Sequence, residues 1–176
     1  MKRSLSLWQF VGFSLTSFLG TLFHFLYEWT GESPFVAPIS GVNESTWEHM
    51  KLLFFPLFFF ALVERAFFKE QTGFWHIKLG GTLRGILFIP FLFYTLNGAF
   101  GKTPDWINIS LFFLAAALSF LWETRAFSKA VDTESPIPRL SFFLLCLIGA
   151  LFVLFTFFPP RIPLFADPLT GTYGIR

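Results

Sequence analysis

The stretch LSFFLLCLIGALFVLFTFF, residues 140–158, decides the fold class. It runs for nineteen residues without a single Asp, Glu, Lys or Arg. A hydrocarbon core of about 30 Å is crossed by roughly 20 residues of α-helix. A helix that is apolar on every side has no face that prefers water. We therefore interpret residues 140–158 as a membrane-spanning helix.

The composition of the whole chain agrees with this interpretation. Of its 176 residues 54% are hydrophobic and 14% are charged, and Phe alone contributes 29 residues. Soluble domains carry roughly a quarter of their residues as charged side chains, and one core of this size cannot enclose so much apolar bulk. The single Cys and the net charge of +2 exclude a disulfide scaffold and a nucleic-acid-binding module.

Four more apolar runs of similar length lie upstream of residues 140–158. The five predicted spans are residues 5–27, 47–67, 79–96, 106–126 and 140–158. Short segments rich in Gly, Pro and charge separate them, as expected for helix ends. The sequence thus predicts an all-α, multi-pass bundle of about five transmembrane helices that forms a single domain over residues 1–176.

The distribution of cationic residues predicts the orientation of these spans. Lys and Arg concentrate on the cytoplasmic side of membrane proteins, and the side that holds the N-terminus carries nine of them against four on the other side. We therefore expect the N-terminus inside and the C-terminus outside, in a cell inner (plasma) membrane. The nine are Lys2, Arg3, Arg65, Lys69, Lys78, Arg84, Arg125, Lys129 and Arg139, and the four are Lys51, Lys102, Arg161 and Arg176.

Ionisable residues at the outer end of the first span are candidates for function, because such groups are costly at membrane depth. His24 and Glu28 lie one helical turn apart. Gly12, Thr16 and Gly20 precede them at the small-xxx-small spacing that lets membrane helices approach closely. We therefore expect His24 and Glu28 to face protein.

The start of the second span, in VNESTWEHMK, carries a second polar group at the same level. Glu44 and Glu48 are four residues apart and are expected to share one helix face, which His49 flanks. The connection from the first span is only about fifteen residues long, so the two helices are expected to be antiparallel neighbours. Two imidazoles and three carboxylates should then come within reach of each other.

This set of residues suits a divalent metal, with Zn, Mn or Fe as candidates. The predicted ligands are His24, Glu28, Glu44, Glu48 and His49, with Glu44 or Glu48 as the catalytic group that takes a proton from metal-bound water. An alternative is structural, because Ser45 and Glu48 match the S-x-x-E capping box. Handling of protons by the same residues is a further alternative.

Three other polar residues are expected near this cluster. Asn97, at the outer end of the third span, either joins the cluster or caps its own helix. The C-terminal segment FPPRIPLFADPLTGTYGIR, residues 158–176, is predicted to be non-helical and to fold over the outer mouth of the bundle, bringing Asp167 and Tyr173 close. Alternatively, it anchors in the lipid headgroups. At the inner ends, Arg84, Glu64 and Glu123 are expected to form ion pairs or to snorkel to the interface, with a substrate site as the less favoured alternative.

Three functional classes follow from these residues. The first is a membrane-embedded metal-dependent hydrolase, the second a small transporter or ion-binding protein, and the third a structural or accessory subunit. A carrier needs polar groups along a path, whereas the middle of every span is apolar, which argues against a monomeric transporter. Membrane lipids are the expected partners, a homo-oligomer is left open, and nucleic acid is not expected.

Three stretches of the chain resemble a family of small, uncharacterised bacterial integral membrane proteins. They are GTLFHFLYEW, VNESTWEHMKLLFFP and FPPRIPLFADPLTGTYGI. The resemblance implies a prokaryotic inner-membrane protein. It transfers no catalytic residue.

Overall fold

A computed structural model describes residues 2–69, 71, 73–129 and 138–175 of the chain. These residues form five α-helices and one short 3₁₀ helix, with no strand among them. The predicted all-α class is confirmed. The helices are α1 Lys2–Trp29, α2 Thr46–Phe67, α3 Phe74–Phe100, α4 Asp105–Lys129 and α5 Pro138–Phe157, and the 3₁₀ helix is Pro163–Phe165.

Each predicted span corresponds to one α-helix, but α3 is longer than predicted at both ends. It begins five residues earlier, at Phe74, directly after Gly73, whose φ of 69° is accessible to glycine at little steric cost. Phe74 and Ile77 are buried against Phe127 of α4, and this packing keeps the added turn helical. The extension places Lys78 inside the helix.

Helix α2 lies at the centre of the bundle. α1, α4, α3 and α5 follow one another around it, and the 3₁₀ helix also packs against it. Among the described residues, α1, α3, α4 and α5 are long and apolar enough to cross a membrane. α2 differs because Glu48, Lys51 and Glu64 interrupt its apolar sequence, and all three side chains are buried inside the bundle.

The small residues of α1 face its neighbours, as the sequence predicts. Gly12, Thr16 and Gly20 are buried. A Cβ atom at Gly12 would overlap the rings of Phe60 and Phe120, so the close approach of α1 to α2 and α4 requires glycine there. This packing directs the side of α1 that carries His24 toward the bundle.

The segment after α5 is compact and packs on the end of the bundle where α2 begins. Phe165 is buried, with its ring centroid 4.7 Å from that of Trp47. The Asn43 side-chain amide donates to the Gly174 carbonyl at 3.1 Å. The N–H of Ile175 donates to the Thr156 carbonyl at 3.3 Å. The segment is thereby attached to both α5 and the loop before α2.

Candidate functional site

The Glu44 carboxylate lies between two imidazoles. Glu44 Oε1 is 3.6 Å from His24 Nε2, and Glu44 Oε2 is 3.6 Å from His49 Nε2. One ligand atom from each of the three residues lies within 4.8 Å of the other two. The three side chains are 29%, 41% and 24% exposed for His24, Glu44 and His49, so solvent or a ligand can reach them.

These separations, each to a different oxygen of Glu44, are longer than hydrogen bonds and lie at the upper end of the spacing between the ligand atoms of a zinc ion. Hydrogen bonds between nitrogen and oxygen measure about 2.7–3.2 Å. Ligand atoms at metal distances of about 2.0–2.2 Å in a tetrahedral zinc site lie roughly 3.3–3.6 Å apart. The two contacts of Glu44, at 3.6 Å each, are therefore close to the second value.

A hydrogen bond to the backbone orients the His49 ring. Its Nδ1 lies 3.0 Å from the carbonyl oxygen of Ser45, one turn earlier. With the proton on Nδ1, that nitrogen donates to the carbonyl, and Nε2 carries its lone pair toward Glu44. Metal-binding histidines commonly use this arrangement, in which the non-ligating nitrogen is held by a carbonyl or carboxylate.

Glu44 is presented from the residues that precede α2. Ser45 is the N-cap, with backbone φ −67° and ψ 152°, and its side-chain oxygen accepts from the N–H of Glu48. The Ser45 half of the predicted capping box is thus present, whereas the N–H of Ser45 donates to Asn43 and not to Glu48. Because Glu44 precedes the cap, it does not share a helical face with Glu48, and the expected pairing of these two carboxylates on one face is wrong.

Glu48 points away from the histidines, into the interior. Its Oε2 accepts from Lys51 Nζ at 2.6 Å and from the N–H of Val42 at 3.1 Å. Lys51 is fully buried and also donates to the Ala37 carbonyl at 2.9 Å and to Thr156 Oγ1 at 2.8 Å. Three acceptors thus match the three N–H groups of the ammonium. The sequence placed Lys51 among the outer cationic residues, whereas it stabilises the loop and α5 from inside.

Asn43 holds the loop that carries Glu44 from the other side. Its Oδ1 accepts from the N–H of Ser45 at 2.9 Å, and its Nδ2 donates to the Gly174 carbonyl at 3.1 Å. Glu44 is therefore flanked by a residue attached to the C-terminal segment and by the cap of α2. These bonds restrict the backbone on both sides of the carboxylate.

The three residues line a cavity of about 630 Å³ between α1, α2, α3 and α4. Ile89, Phe93 and Phe112 form part of its apolar wall, while Lys102 and Asp105 belong to its polar residues. Pro168 and Leu169 of the C-terminal segment also line it, so that segment contributes to the site. A mostly apolar cavity with a few convergent polar groups is typical of a binding site for small molecules.

Asn97, expected either in the cluster or at the cap of its own helix, lies inside α3 and is not one of the three grouped residues. It lines the same cavity. Its Oδ1 also accepts from the N–H of Thr103 at 2.9 Å, and its Nδ2 donates to the Phe93 carbonyl at 2.8 Å. Asn97 thereby organises the turn between α3 and α4 at the cavity wall.

The other predicted site residues lie outside the group of three. Glu28 is exposed, contrary to the expectation that it faces protein, because α1 ends one residue later at Trp29 and the chain turns at Gly31. Asp167 is buried, and its carboxylate accepts from the N–H of Leu169 at 2.8 Å, within its own turn. Tyr173 forms an isolated β-bridge with Ala166. Neither belongs to the His24 group.

At the opposite end of the helices, Glu64 and Glu123 both pair with Lys78. The expectation that Arg84 joins them is wrong, because its guanidinium stacks on the Trp122 ring at 4.0 Å. The predicted third span begins at residue 79, which left Lys78 in the preceding loop among the interfacial cations, whereas α3 begins at Phe74. Extending the helical periodicity of the third span toward the N-terminus from residue 79 would have placed Lys78 on a buried face.

The chain belongs to the family of unknown function DUF6512, which matches residues 1–175. This match agrees with the resemblance to an uncharacterised family, while a bacterial origin stays a prediction. No curated protein and no solved structure matches the chain.

Proposed function

We propose that this protein binds a divalent metal ion, with Zn²⁺ as the best candidate, through His24, Glu44 and His49. We further propose that it is a membrane-embedded, metal-dependent hydrolase. The observation that carries the proposal is the Glu44 carboxylate, whose two oxygens lie 3.6 Å from the Nε2 atoms of His24 and His49. Two imidazoles and one carboxylate are a ligand set that suits zinc.

The orientation of the His49 ring supports metal binding over a simple ion pair. If His49 only paired with Glu44 as a cation, its Nε2–H would be expected within hydrogen-bond distance of the carboxylate. The contact is longer than that, and with the proton on Nδ1 alone Nε2 can act as an acceptor. A metal between Nε2 and the carboxylate uses both lone pairs.

The number of protein ligands favours a catalytic over a structural site. Structural zinc sites have four protein ligands, whereas catalytic sites have three and keep a position for water. A metal so bound lowers the pKa of its water and polarises a carbonyl or phosphoryl group. Asp105 lines the same cavity and is our candidate for the group that accepts the proton, because Glu48 is paired with Lys51.

The cavity favours an amphiphilic substrate. Its wall includes Phe25, Ile109 and Phe113, which are also exposed on the outside of the bundle, where lipid is expected. Lys102 and Asn108 line the same cavity and would suit a polar or anionic group. An ester or phosphoester with an acyl chain combines these two properties.

The proposed topology places this site in the outer half of the membrane. It combines five membrane-crossing helices, including α2, with an inside N-terminus. Lys51 and Lys78 are buried and do not act as interfacial anchors. Lys78 was counted with the inner cations and Lys51 with the outer ones, so inner cations still outnumber outer cations when both lysines are left out. Transport by a single chain is less favoured, since residues 52–63 of α2 carry no charged side chain.

Metal analysis of the purified protein tests the proposal. Protein purified without chelators and with Zn²⁺ supplied should contain about one zinc ion per chain, and His24→Ala and His49→Ala should lose it. Glu28→Gln is the matched control, because Glu28 lies one turn from His24 and is exposed. Wild-type protein without stoichiometric metal would overturn the metal site.

Hydrolysis is tested separately on the same preparations. A chromogenic ester with an acyl chain, presented in detergent micelles, should be cleaved by the zinc-loaded protein and not by His24→Ala. Zinc binding with no cleavage of either ester or phosphoester amphiphiles would retain the metal site and reject the hydrolase.

A further inference from the structure

Four buried polar side chains, one from each of four helices, meet at the inner end of the bundle. They are Gln9 of α1, Glu64 of α2, Lys78 of α3 and Glu123 of α4, and each is at most 3% exposed. Glu64 lies sixteen residues beyond Glu48 along α2, which corresponds to about 24 Å of helix. This inner cluster is therefore separate from the metal site proposed above and does not rest on it.

The inner cluster contains two carboxylates and one ammonium group. Lys78 Nζ contacts Oε2 of both Glu64 and Glu123, at 2.5 Å in the case of Glu123. Gln9 Nε2 donates to Glu64 Oε1 at 2.7 Å. With both carboxylates ionised, the cluster would carry one uncompensated negative charge.

The surroundings of the cluster cannot stabilise such a charge. The ring centroids of four phenylalanines lie 5.5–5.7 Å from Lys78 Nζ and enclose the ion pairs in apolar surface. An unpaired charge buried in such a medium is costly, and the group binds or releases a proton instead. The four phenylalanines around Lys78 are Phe60, Phe74, Phe120 and Phe127.

The nearby cations that the structure describes have other partners or are exposed. Arg65 Nη1 donates to the carbonyls of Phe68 and Lys69. Arg84 Nη1 donates to the Gly80 carbonyl, and its guanidinium lies over Trp122. The remaining cations near the inner ends of α4 and α5 are exposed; they are Arg125, Lys129 and Arg139. On α1, the group that faces the cluster is the neutral amide of Gln9.

The two carboxylates are not equivalent. Glu64 interacts with Gln9 through one oxygen and with Lys78 through the other. Glu123 interacts with Lys78 through Oε2, while its Oε1 has no hydrogen-bond partner within the described part of the chain. That oxygen faces Gly81, where a Cβ atom would overlap it. The ionised form is therefore better supported at Glu64 than at Glu123.

We propose that the inner cluster is a proton-binding site that holds one proton on Glu123, beside ionised Glu64 and the Lys78 ammonium. The proton comes from solvent and returns to it, so that no other reactant is required. Gln9, which donates to Glu64, also lines a pocket of about 390 Å³ between α1 and α4.

Infrared spectroscopy of the full-length protein in detergent tests this proposal. At neutral pH the wild type should show the carbonyl band of a protonated carboxylic acid, and the band should shift in deuterated water. Glu123→Gln should abolish the band. Glu64→Gln should also abolish it, because a single remaining carboxylate balances Lys78 and ionises. Glu28→Gln, at an exposed position of the other end, should leave the band unchanged.

Thermal unfolding supplies a second measurement. Glu123→Gln mimics the protonated acid, so its melting temperature should match that of the wild type at acidic pH, where this carboxyl group is protonated in both the folded and the unfolded chain. As the pH rises toward neutral, the unfolded wild-type chain releases this proton while the folded protein retains it, so the wild type should lose stability and Glu123→Gln should lose less. A wild type without the infrared band, or a band that survives both Gln variants, would overturn the proposal. Neither result depends on zinc.

Discussion

Glu48 and Lys51 of α2 form a 2.6 Å ion pair that is almost completely buried, with 2% and 0% of their side chains exposed. The pair lies one turn inside the cap of α2 and is bonded to three residues in two other parts of the chain, the preceding loop and α5. Lys51 donates to Ala37 in the loop and to Thr156 of α5, and Glu48 accepts from Val42. It therefore holds in place the loop that presents Glu44 to the two histidines.

Breaking this pair from one side should destabilise the protein strongly. Lys51→Met leaves Glu48 as an unpaired buried charge, which typically costs about 3–5 kcal/mol. The double variant Glu48→Gln with Lys51→Met removes both charges and should recover most of that loss. Thermal unfolding in detergent measures both effects. Equal melting temperatures for wild type and Lys51→Met would show that the pair contributes little.

Removing the cap of α2 should weaken both the helix start and metal binding. Ser45→Ala removes the side-chain oxygen that accepts from Glu48 N–H, at a cost of about 1 kcal/mol. The same residue's carbonyl orients His49, so movement of the backbone there should lower zinc affinity, by about tenfold or more. Ser45→Asp, which also caps helices well, should restore stability. Unchanged zinc affinity in Ser45→Ala would separate the cap from the site.

Zinc binding should weaken on acidification. Metal ligands must be deprotonated, so each imidazole that takes up a proton competes with the ion. Titration of zinc at decreasing pH should show falling affinity in the wild type, and the same fall in Glu28→Gln, which keeps all three proposed ligands. Affinity that does not change with pH would argue against imidazole ligation.

Two glycines of α3 should respond oppositely to the same substitution. A Cβ atom at Gly85 would overlap Ser119 Oγ and lie 3.1 Å from the Ala115 carbonyl oxygen, so Gly85→Ala should destabilise the α3–α4 contact by about 1–3 kcal/mol. Gly98 is exposed and has nothing within 4 Å of such an atom. Gly98→Ala should be neutral or stabilise the protein by up to about 1 kcal/mol. Thermal unfolding of the matched pair decides whether packing at Gly85 is tight.

Reporter fusions should establish the orientation. A reporter active only in the cytoplasm should be inactive at the C-terminus and active when inserted between α4 and α5, in residues 130–137. This expectation follows from five crossings and an inside N-terminus. Activity at the C-terminus would reverse the orientation or reduce the number of crossings.

The sequence by itself determined the five helices of this protein and the N-cap of α2. An uncharged run such as residues 140–158 has only one favourable environment, so the helix and its membrane character follow from local composition. The cap at Ser45 and the buried stripe of Gly12, Thr16 and Gly20 are likewise local patterns. Each of these patterns depends on side chains within one or two helical turns, so it can be recognised from neighbouring positions in the sequence.

Only the tertiary structure decided which polar residues meet. His24, Glu28, Glu44, Glu48 and His49 look equivalent along the chain, yet Glu48 turns inward to Lys51 and Glu28 remains exposed. The tertiary structure likewise decided that Lys78, and not Arg84, pairs with Glu64 and Glu123. Such pairings depend on the relative rotation and depth of neighbouring helices. Those quantities are set by packing at glycines and aromatic rings over the whole interface, and no single segment encodes them.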